Sequence, residues 1–381
     1  MNFKKILPQL LTVIVVVLIF GFFSYNAQVN MDNRGITFGY GFLSQESSFD
    51  VQFSLIEYDG SHSYFRAYLV GLLNTILVSV IGIVFATIIG VVVGIARLSK
   101  NYLIERTAAV YVEFFRNIPL LLQIFFWYFA ALRALPLPEK AEPMLGVFFL
   151  TIKGFFVPAF VWNNLDIFIY SIIAAIISIF FVRLYAKKKQ ENQGIQTPVL
   201  VISIGLLVVL PLLSFLIGGA EAYVEIPVIK QLSQSSFTYE GGLKLPPELI
   251  SLALALSLYT ATFIAENVRA GVQGVSKGQK EAAASIGLTA NQILKLVVMP
   301  QALRIIIPPT TNQYLNLTKN SSLAAAIAYP DLVLIFAGTA LMQTGRAIEI
   351  VSITMLTYLS LSISISILMN WYNKKIAIKE K

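Results

Sequence analysis

The sequence predicts an all-α, polytopic helical membrane protein with about eight transmembrane helices. Three observations carry this. Of 381 residues, 57% are hydrophobic and 13% charged, where soluble domains carry about a quarter charged residues. The apolar residues come in runs of about 20, the length of helix that crosses roughly 30 Å of hydrocarbon. The bases gather in alternate inter-span segments, as cytoplasmic loops require.

The first run, Leu10 to Phe23, follows Lys4 and Lys5 and continues into Ser24-Tyr25-Asn26-Ala27. That stretch lacks the small-x-small pattern of a cleavage site, so the run reads as an uncleaved anchor. Further spans are expected at 68–96, 108–132, 167–185, 198–217, 249–267, 302–320 and 350–370. With both termini inside, the inner segments hold 18 of the 28 bases. These are Lys4 and Lys5; Arg97, Lys100 and Arg106; Arg183 and Lys187 to Lys189; Arg269, Lys277, Lys280, Lys295 and Arg304; and Lys374, Lys375, Lys379 and Lys381. The outer segments hold Arg34, Arg66, Arg133, Lys140, Lys153, Lys230, Lys244 and Arg346, and Arg116 and Lys319 fall within spans. The net charge of +8 is therefore a property of the cytoplasmic face, and no nucleic-acid partner is expected.

Two stretches interrupt the count. Leu145 to Val161 is apolar, but Lys153-Gly154 and Pro158 break it, so it reads as a surface or partly embedded outer segment. Ala302 to Met342 would make about 60 Å of helix and must be broken; Pro308-Pro309 and Tyr329-Pro330-Asp331 are the expected breaks. Leu332 to Met342 then reads as a re-entrant outer helix.

Cysteine is absent, and His62 is the one histidine. Disulfides, thiolate chemistry, His-based metal clusters and a Ser-His-Asp triad are excluded. His62 reads as a solvated loop residue, and the sequons at Asn316 and Asn320 as chance.

The longest inner segment, 270–301, is more than a linker. Ser276-Lys277-Gly278-Gln279 and Thr289-Ala290-Asn291-Gln292 each have the form of a capping box. They predict helices at about 277–286 and 290–299, separated by Gly287 as a positive-φ stop and closed by Pro300. The first helix carries Glu281-Ala282-Ala283-Ala284, the second an apolar face of Ile293, Leu294, Leu296, Val297 and Val298. Such a hairpin either docks in a groove of a partner or rests on lipid headgroups.

Charges at membrane depth are costly and are candidates for function. Glu113 and Arg116, and Glu266 and Arg269, stand three apart on one helical face and read chiefly as neutralising pairs. A denser polar run follows the double proline: Thr310, Thr311, Asn312, Gln313, Asn316, Thr318, Lys319, Asn320, Ser321 and Ser322. It must face a protein interior or a wet cavity. An amino-acid zwitterion would find donors in Lys319 and the hydroxyls and acceptors in Asn316 and Asn320; the same groups would serve equally as hydrogen bonds between helices. Substrate-pathway candidates are Asn316, Lys319, Asn320, Ser321, Ser322, Arg116 and Gln123.

Glu281-Ala282-Ala283, Gly287 after three intervening residues, and Val297-Val298-Met299-Pro300 resemble the EAA loop of ABC-type importer permeases. Ile264 to Gly271, Pro300 to Arg304, Pro308-Pro309 and Glu113 to Gln123 are similar to the polar amino acid branch, and Lys319-Asn320-Ser321-Ser322 to the general L-amino-acid permeases. The resemblance implies a type I importer permease fold in the inner membrane. Its core would comprise 67–134 and 249–381, preceded by an anchor and outer segment at 1–66 and interrupted at 135–248 by an outer segment with an inserted hairpin. It implies a separate ATP-binding subunit dimer, which would hold ATP and magnesium, docked on Glu281, Ala282, Ala283, Gly287 and Pro300. It also implies a second permease subunit and a periplasmic amino-acid-binding protein. The chain has no G-x-x-x-x-G-K-[ST], so it is expected to bind no cofactor and to be no enzyme. An ion-coupled secondary transporter would share the spans and the polar run without needing the doubly capped hairpin; a membrane scaffold would explain the hairpin alone.

Overall fold

A computed structural model describes residues 3–33, 39–216, 219, 221–233 and 236–376. Arg34, Lys379 and Lys381 lie outside the described residues, as do the side chains of Lys4 and Lys5. Among the described residues, seven helices are long and apolar enough to cross a membrane, or eight if one bent pair counts as a span. The chain divides into two compact units, 1–124 with 252–381, and 125–251.

In the first unit, α1 (Phe3–Asn33) is apolar on every side and unburied along its span, as a helix sheathed in lipid would be. α2 (Tyr64–Ala96) starts at Ser63, whose hydroxyl accepts from the Arg66 amide at 3.3 Å. α3 (Tyr102–Asn117) starts at Asn101, whose Oδ1 accepts from the Leu103 and Ile104 amides at 2.9 and 3.3 Å. α4 (Leu120–Phe125) leads into a π-helical turn, Phe126–Ala131. The expected straight span 108–132 is instead bent by 102° between Asn117 and Leu120, because Pro119 lacks the amide that would continue the helix.

The second unit holds the expected apolar outer segment and the expected inserted hairpin. The expected surface stretch is strand: β1 (Phe149–Thr151) and β2 (Gly154–Val157) pair antiparallel, and β3 (Ala159–Asn163) follows. Ile152-Lys153 makes the turn, and Gly154, the first residue of β2, takes φ +126°. α5 (Leu165–Gln193) and α6 (Val199–Leu216) form the inserted hairpin. At 29 residues α5 is about 43 Å long, so its Lys187 to Lys189 end extends past a hydrocarbon layer. β4 (Glu221–Glu225) pairs with β3, β5 (Val228–Ser233) with β6 (Ser236–Glu240), and β7 (Leu243–Leu245) with β2. The Trp162, Phe168 and Phe215 rings cluster with centroids 5.1 to 5.9 Å apart and fasten the β3–β4 ribbon to the hairpin.

α7 (Pro247–Gln273) re-enters the first unit and buries Leu252, Ala255, Leu256, Ala261, Ile264, Ala265 and Val268, a helical stripe of mostly three- and four-residue steps. It packs against α2 almost without intervening side chains: a Cβ on Gly90 would lie 2.6 Å from the Ile264 Cβ, and one on Gly94 2.7 Å from the Val268 Cβ. After α8 (Lys277–Ser285) and α9 (Ala290–Gln292), a π-helical turn, Ile293–Val298, runs directly into α10 (Met299–Asn320) and a 3₁₀ extension, Ser321–Ile327.

This corrects two expectations. Pro300 does not end the second hairpin helix, and Pro308-Pro309 do not break the span; one helical course runs from Ala290 to Ile327. The wider π turn just before Pro300 is the distortion that accommodates its missing amide. Burial of Ala302, Ile306 and Ile307, with Ile306 against Gly271, outweighs the roughly 3 kcal/mol cost of an interior proline. The real break comes at Ala328, in the left-handed region at φ +59°, and Tyr329-Pro330. A short apolar helix, Val333–Thr344, follows; its last turn is α11 (Leu341–Thr344). α12 (Ala347–Ile376) is the final span.

Candidate coupling loop and transport path

Both ends of the hairpin turn are fixed by local chemistry. Gly287 takes φ +84°, its amide donating to the Ala284 carbonyl at 2.9 Å while the Leu288 amide donates to Ala283 at 3.2 Å. This is the reciprocal pair of a Schellman stop, and it closes α8 at Ser285. Two residues on, the Thr289 amide donates to Gln292 Oε1 at 2.8 Å and the Gln292 amide to Thr289 Oγ1 at 3.4 Å, completing the capping box. The other expected box does not form. Ser276 makes no side-chain cap, and Gln279 Oε1 instead meets Gln301 Nε2 at 3.5 Å, drawing the start of α8 toward α10.

Glu281 and Ala282 are exposed while Ala283 is buried, so the EAA segment turns one alanine inward and presents the carboxylate outward. Ile286 is 77% and Leu296 65% exposed. Pro300 is half-buried and lies within the helix rather than at its end. The hairpin therefore shows an acid, a small residue and unpartnered aliphatic groups on one short element.

α7 leads into α8 through Gly274 to Ser276, and the charged network lies just upstream. Arg97, at the end of α2, donates to Glu266 Oε2 at 2.6 Å. Arg269 Nε donates to Glu266 Oε1 at 3.0 Å and its second nitrogen also bonds that oxygen. A third Arg269 nitrogen donates to Gln273 Oε1 at 2.6 Å. The expected pair Glu113–Arg116 does not form: both side chains are exposed, and no ion pair joins them among the described residues.

The polar run divides by direction. Thr310, Thr311, Thr318, Ser321 and Ser322 all donate to carbonyls three or four residues back, at 2.7 to 3.0 Å, so their protons are used within their own helix. Ser321 is wholly buried. Asn312, Asn316 and Lys319, at helical spacing on one face of α10, are exposed, and Asn320 is half-buried. Gln123 is buried beside the Pro119 bend, where its Nε2 donates to the Phe115 and Ile118 carbonyls at 2.8 and 2.9 Å. These are carbonyls that the bend leaves without helical partners.

His62 is not free in its loop: its Nδ1 lies 3.0 Å from Asp59 Oδ1 and its ring stacks on Tyr58. The Ser61 hydroxyl and amide, with a smaller contribution from His62, hold the Asp59 carboxyl below its ordinary range. Among the buried polar groups that sequence reasoning passed over is Asp331, which is fully enclosed. The signal was an acid beside a helix-breaking Tyr-Pro in an apolar stretch.

The family described as binding-protein-dependent transport system inner membrane component matches residues 194–378. The chain is 46% identical over 374 residues to the putative amino-acid ABC transporter permease protein YhdX of Escherichia coli K12, covering 98% of this chain and 94% of that one. It is 46% identical over 382 residues to the general L-amino acid transport system permease protein AapQ of Rhizobium johnstonii, covering 100% and 94%. A solved chain of an amino acid ABC transporter with histidines aligns over 82% of this chain and 95% of its own, at 18% identity and a TM-score of 0.47. Matched over nearly its whole length by such relatives, this multi-pass membrane chain belongs to the ABC transporter permeases, the inner membrane components of binding-protein-dependent transport systems.

Proposed function

We propose that the chain is the permease subunit of an ATP-driven importer that moves amino acids inward by alternating access. The carrying observation is the hairpin at Glu281, stopped by Gly287 and restarted by Thr289, with its acid and aliphatic residues outward. A surface of this kind fits a groove in a partner. In this reading two ATP-binding subunits supply the energy and hold ATP and magnesium, and this chain binds neither. Glu281 makes the polar contact, Ala282 and Ala283 permit close approach, Gly287 shapes the turn, and Pro300 lies where the hairpin joins α10.

Because α9, the π turn and α10 form one helical course, a push on the hairpin moves the membrane helix as a lever. The exposed face of Asn312, Asn316 and Lys319 cannot face lipid, so it lines the substrate path or the seam with a second permease subunit; Arg116 and Ser322 are weaker candidates. Both termini lie in the cytoplasm on the charge pattern, and a periplasmic amino-acid-binding protein delivers substrate to the outer side. The names of the relatives, amino-acid and general L-amino-acid permeases, support the substrate class.

Copurification with a candidate ATP-binding subunit, followed by ATPase assays in vesicles, tests this reading. Glu281→Ala is expected to uncouple hydrolysis from amino-acid uptake while the permease still inserts and folds. Uptake that persists without ATP and the ATPase subunit would overturn it.

A further inference from the structure

The break after α10 is built on α2. Asn74 Nδ2 donates to the Pro330 and Phe53 carbonyls, both at 2.9 Å, and the Tyr329 hydroxyl donates to the Asn74 carbonyl at 3.0 Å. The Leu332 amide donates to Thr75 Oγ1 at 3.0 Å. A Cβ on Gly71 would stand 2.9 Å from the Leu332 Cα, so the turn is seated directly on the α2 backbone. Asp331 opens the next helix, its Oδ1 accepting from the Leu334 amide at 2.8 Å as an N-cap.

The other carboxyl oxygen is the anomaly. Asp331 is 0% exposed. Its Oδ2 has no hydrogen-bond partner, and among the described residues it has no ion pair. The Tyr358 hydroxyl of α12 lies beside the carboxyl, without a well-aligned hydrogen bond, and is itself buried and unpartnered. On α2 the neighbouring Asn74 Oδ1 is likewise buried without a donor. The groups facing Asp331 are Tyr358 from α12 and Tyr329 from its own turn. Thr75 and Asn74 on α2 and Ser321 on the 3₁₀ segment carry no charge, and no cation is among the leading influences on Asp331. A bare carboxylate so placed would lack a countercharge for its lost hydration, and the partial charge of one helix N-terminus offsets only a fraction of that loss. The enclosure also holds two bare acceptors and a single spare O–H. One added proton on the carboxyl removes both the charge and the missing donor.

We propose that Asp331 is a proton-binding site, occupied when the Tyr329–Asp331 turn is seated on α2, so that seating and release of this turn are linked to proton uptake and release. The titration agrees: burial pushes the Asp331 carboxyl, which lies outside the spans, up from 3.8 to about 7. Because the folded-state value is raised, the seated state is favoured at low pH. That advantage is lost as pH rises from about 4 to about 7, by about tenfold in the equilibrium constant per pH unit, and does not change further above that.

Infrared difference spectroscopy on the full-length protein in lipid nanodiscs tests this between pH 5 and 8. The wild type is expected to show the carbonyl stretch of a protonated carboxylic acid that titrates away near pH 7 and is missing from Asp331→Asn. Thermal melting of Asp331→Asn should lose the pH slope that the wild type has between pH 5 and 7. Tyr358→Phe, which removes the one polar hydroxyl that α12 places beside the carboxyl, should move the infrared midpoint upward. The same band or the same melting slope in Asp331→Asn overturns the proposal. If that variant does not fold, a midpoint unmoved by Tyr358→Phe overturns it instead.

Discussion

Arg97, at the end of α2, and Glu266, in the last third of α7, form an ion pair of 2.6 Å across 169 residues of sequence. It lies at the end of the seam where Gly90 and Gly94 let α2 meet α7, and Arg269 holds the second carboxylate oxygen. The pair thus fastens two spans about two helical turns before the segment that leads to the hairpin. Glu266→Gln should leave two guanidinium groups short of charge-assisted bonds and cost about 1–3 kcal/mol. Chemical denaturation of Glu266→Gln, Arg97→Gln and the double variant checks this: a coupling energy near zero in that cycle would show that the two residues act independently.

The α2–α7 seam has no room for larger residues. Gly90→Ala places a methyl group 2.6 Å from the Ile264 Cβ, and overpacking of this kind costs about 1–3 kcal/mol. A lowered melting temperature, with partial rescue by Ile264→Ala, is the expected result. Equal stability of Gly90→Ala and wild type would mean that the helices separate readily.

At the hairpin, Gly287→Ala forces a left-handed backbone on a residue with a Cβ, at about 1–2 kcal/mol. No atom lies within 4 Å of the position a Cβ would take, so the cost is conformational alone. Stimulation of the partner ATPase should fall while global melting changes little. If coupling is intact in Gly287→Ala, the shape of the turn is not what the partner reads.

Gln123 satisfies two carbonyls at the Pro119 bend. Gln123→Leu keeps the volume and removes both donors, an expected loss of about 1–3 kcal/mol. Substrate affinity in the folded fraction should not change. A shift in substrate KM without a loss of stability would instead put this residue on the path.

On the exposed face of α10, Lys319→Ala should reduce amino-acid uptake with normal insertion, and Lys319→Arg should restore part of it. Unchanged uptake and unchanged ATPase coupling would remove Lys319 from the pathway.

The spans were legible because hydrocarbon imposes a length and a composition on each one separately. The restart at Thr289 and the stop at Gly287 were legible because a cap involves residues within five positions of each other. The β-strands of the inserted unit escaped notice because Leu145 to Val161 is apolar enough to pass for an embedded segment, and its strand partners lie as far away as Leu243 to Leu245. Pro300 and the Pro308-Pro309 pair misled because a missing amide is a local penalty, whereas the packing that overrides it is tertiary, as where Ile306 meets Gly271 of α7.

By itself, then, the sequence determined that this chain is a multi-span membrane protein with a capped hairpin between two spans, because hydropathy and capping are short-range properties. Only the tertiary structure decided which polar groups are spent and which remain open. Gln123 is consumed at a bend and the hydroxyls of α10 by their own helix, while Asp331 is sealed beneath α2. Each outcome depends on which groups surround a side chain once the helices pack, as in the bond from Asn74 to the Pro330 carbonyl across 256 residues, and no local pattern encodes that.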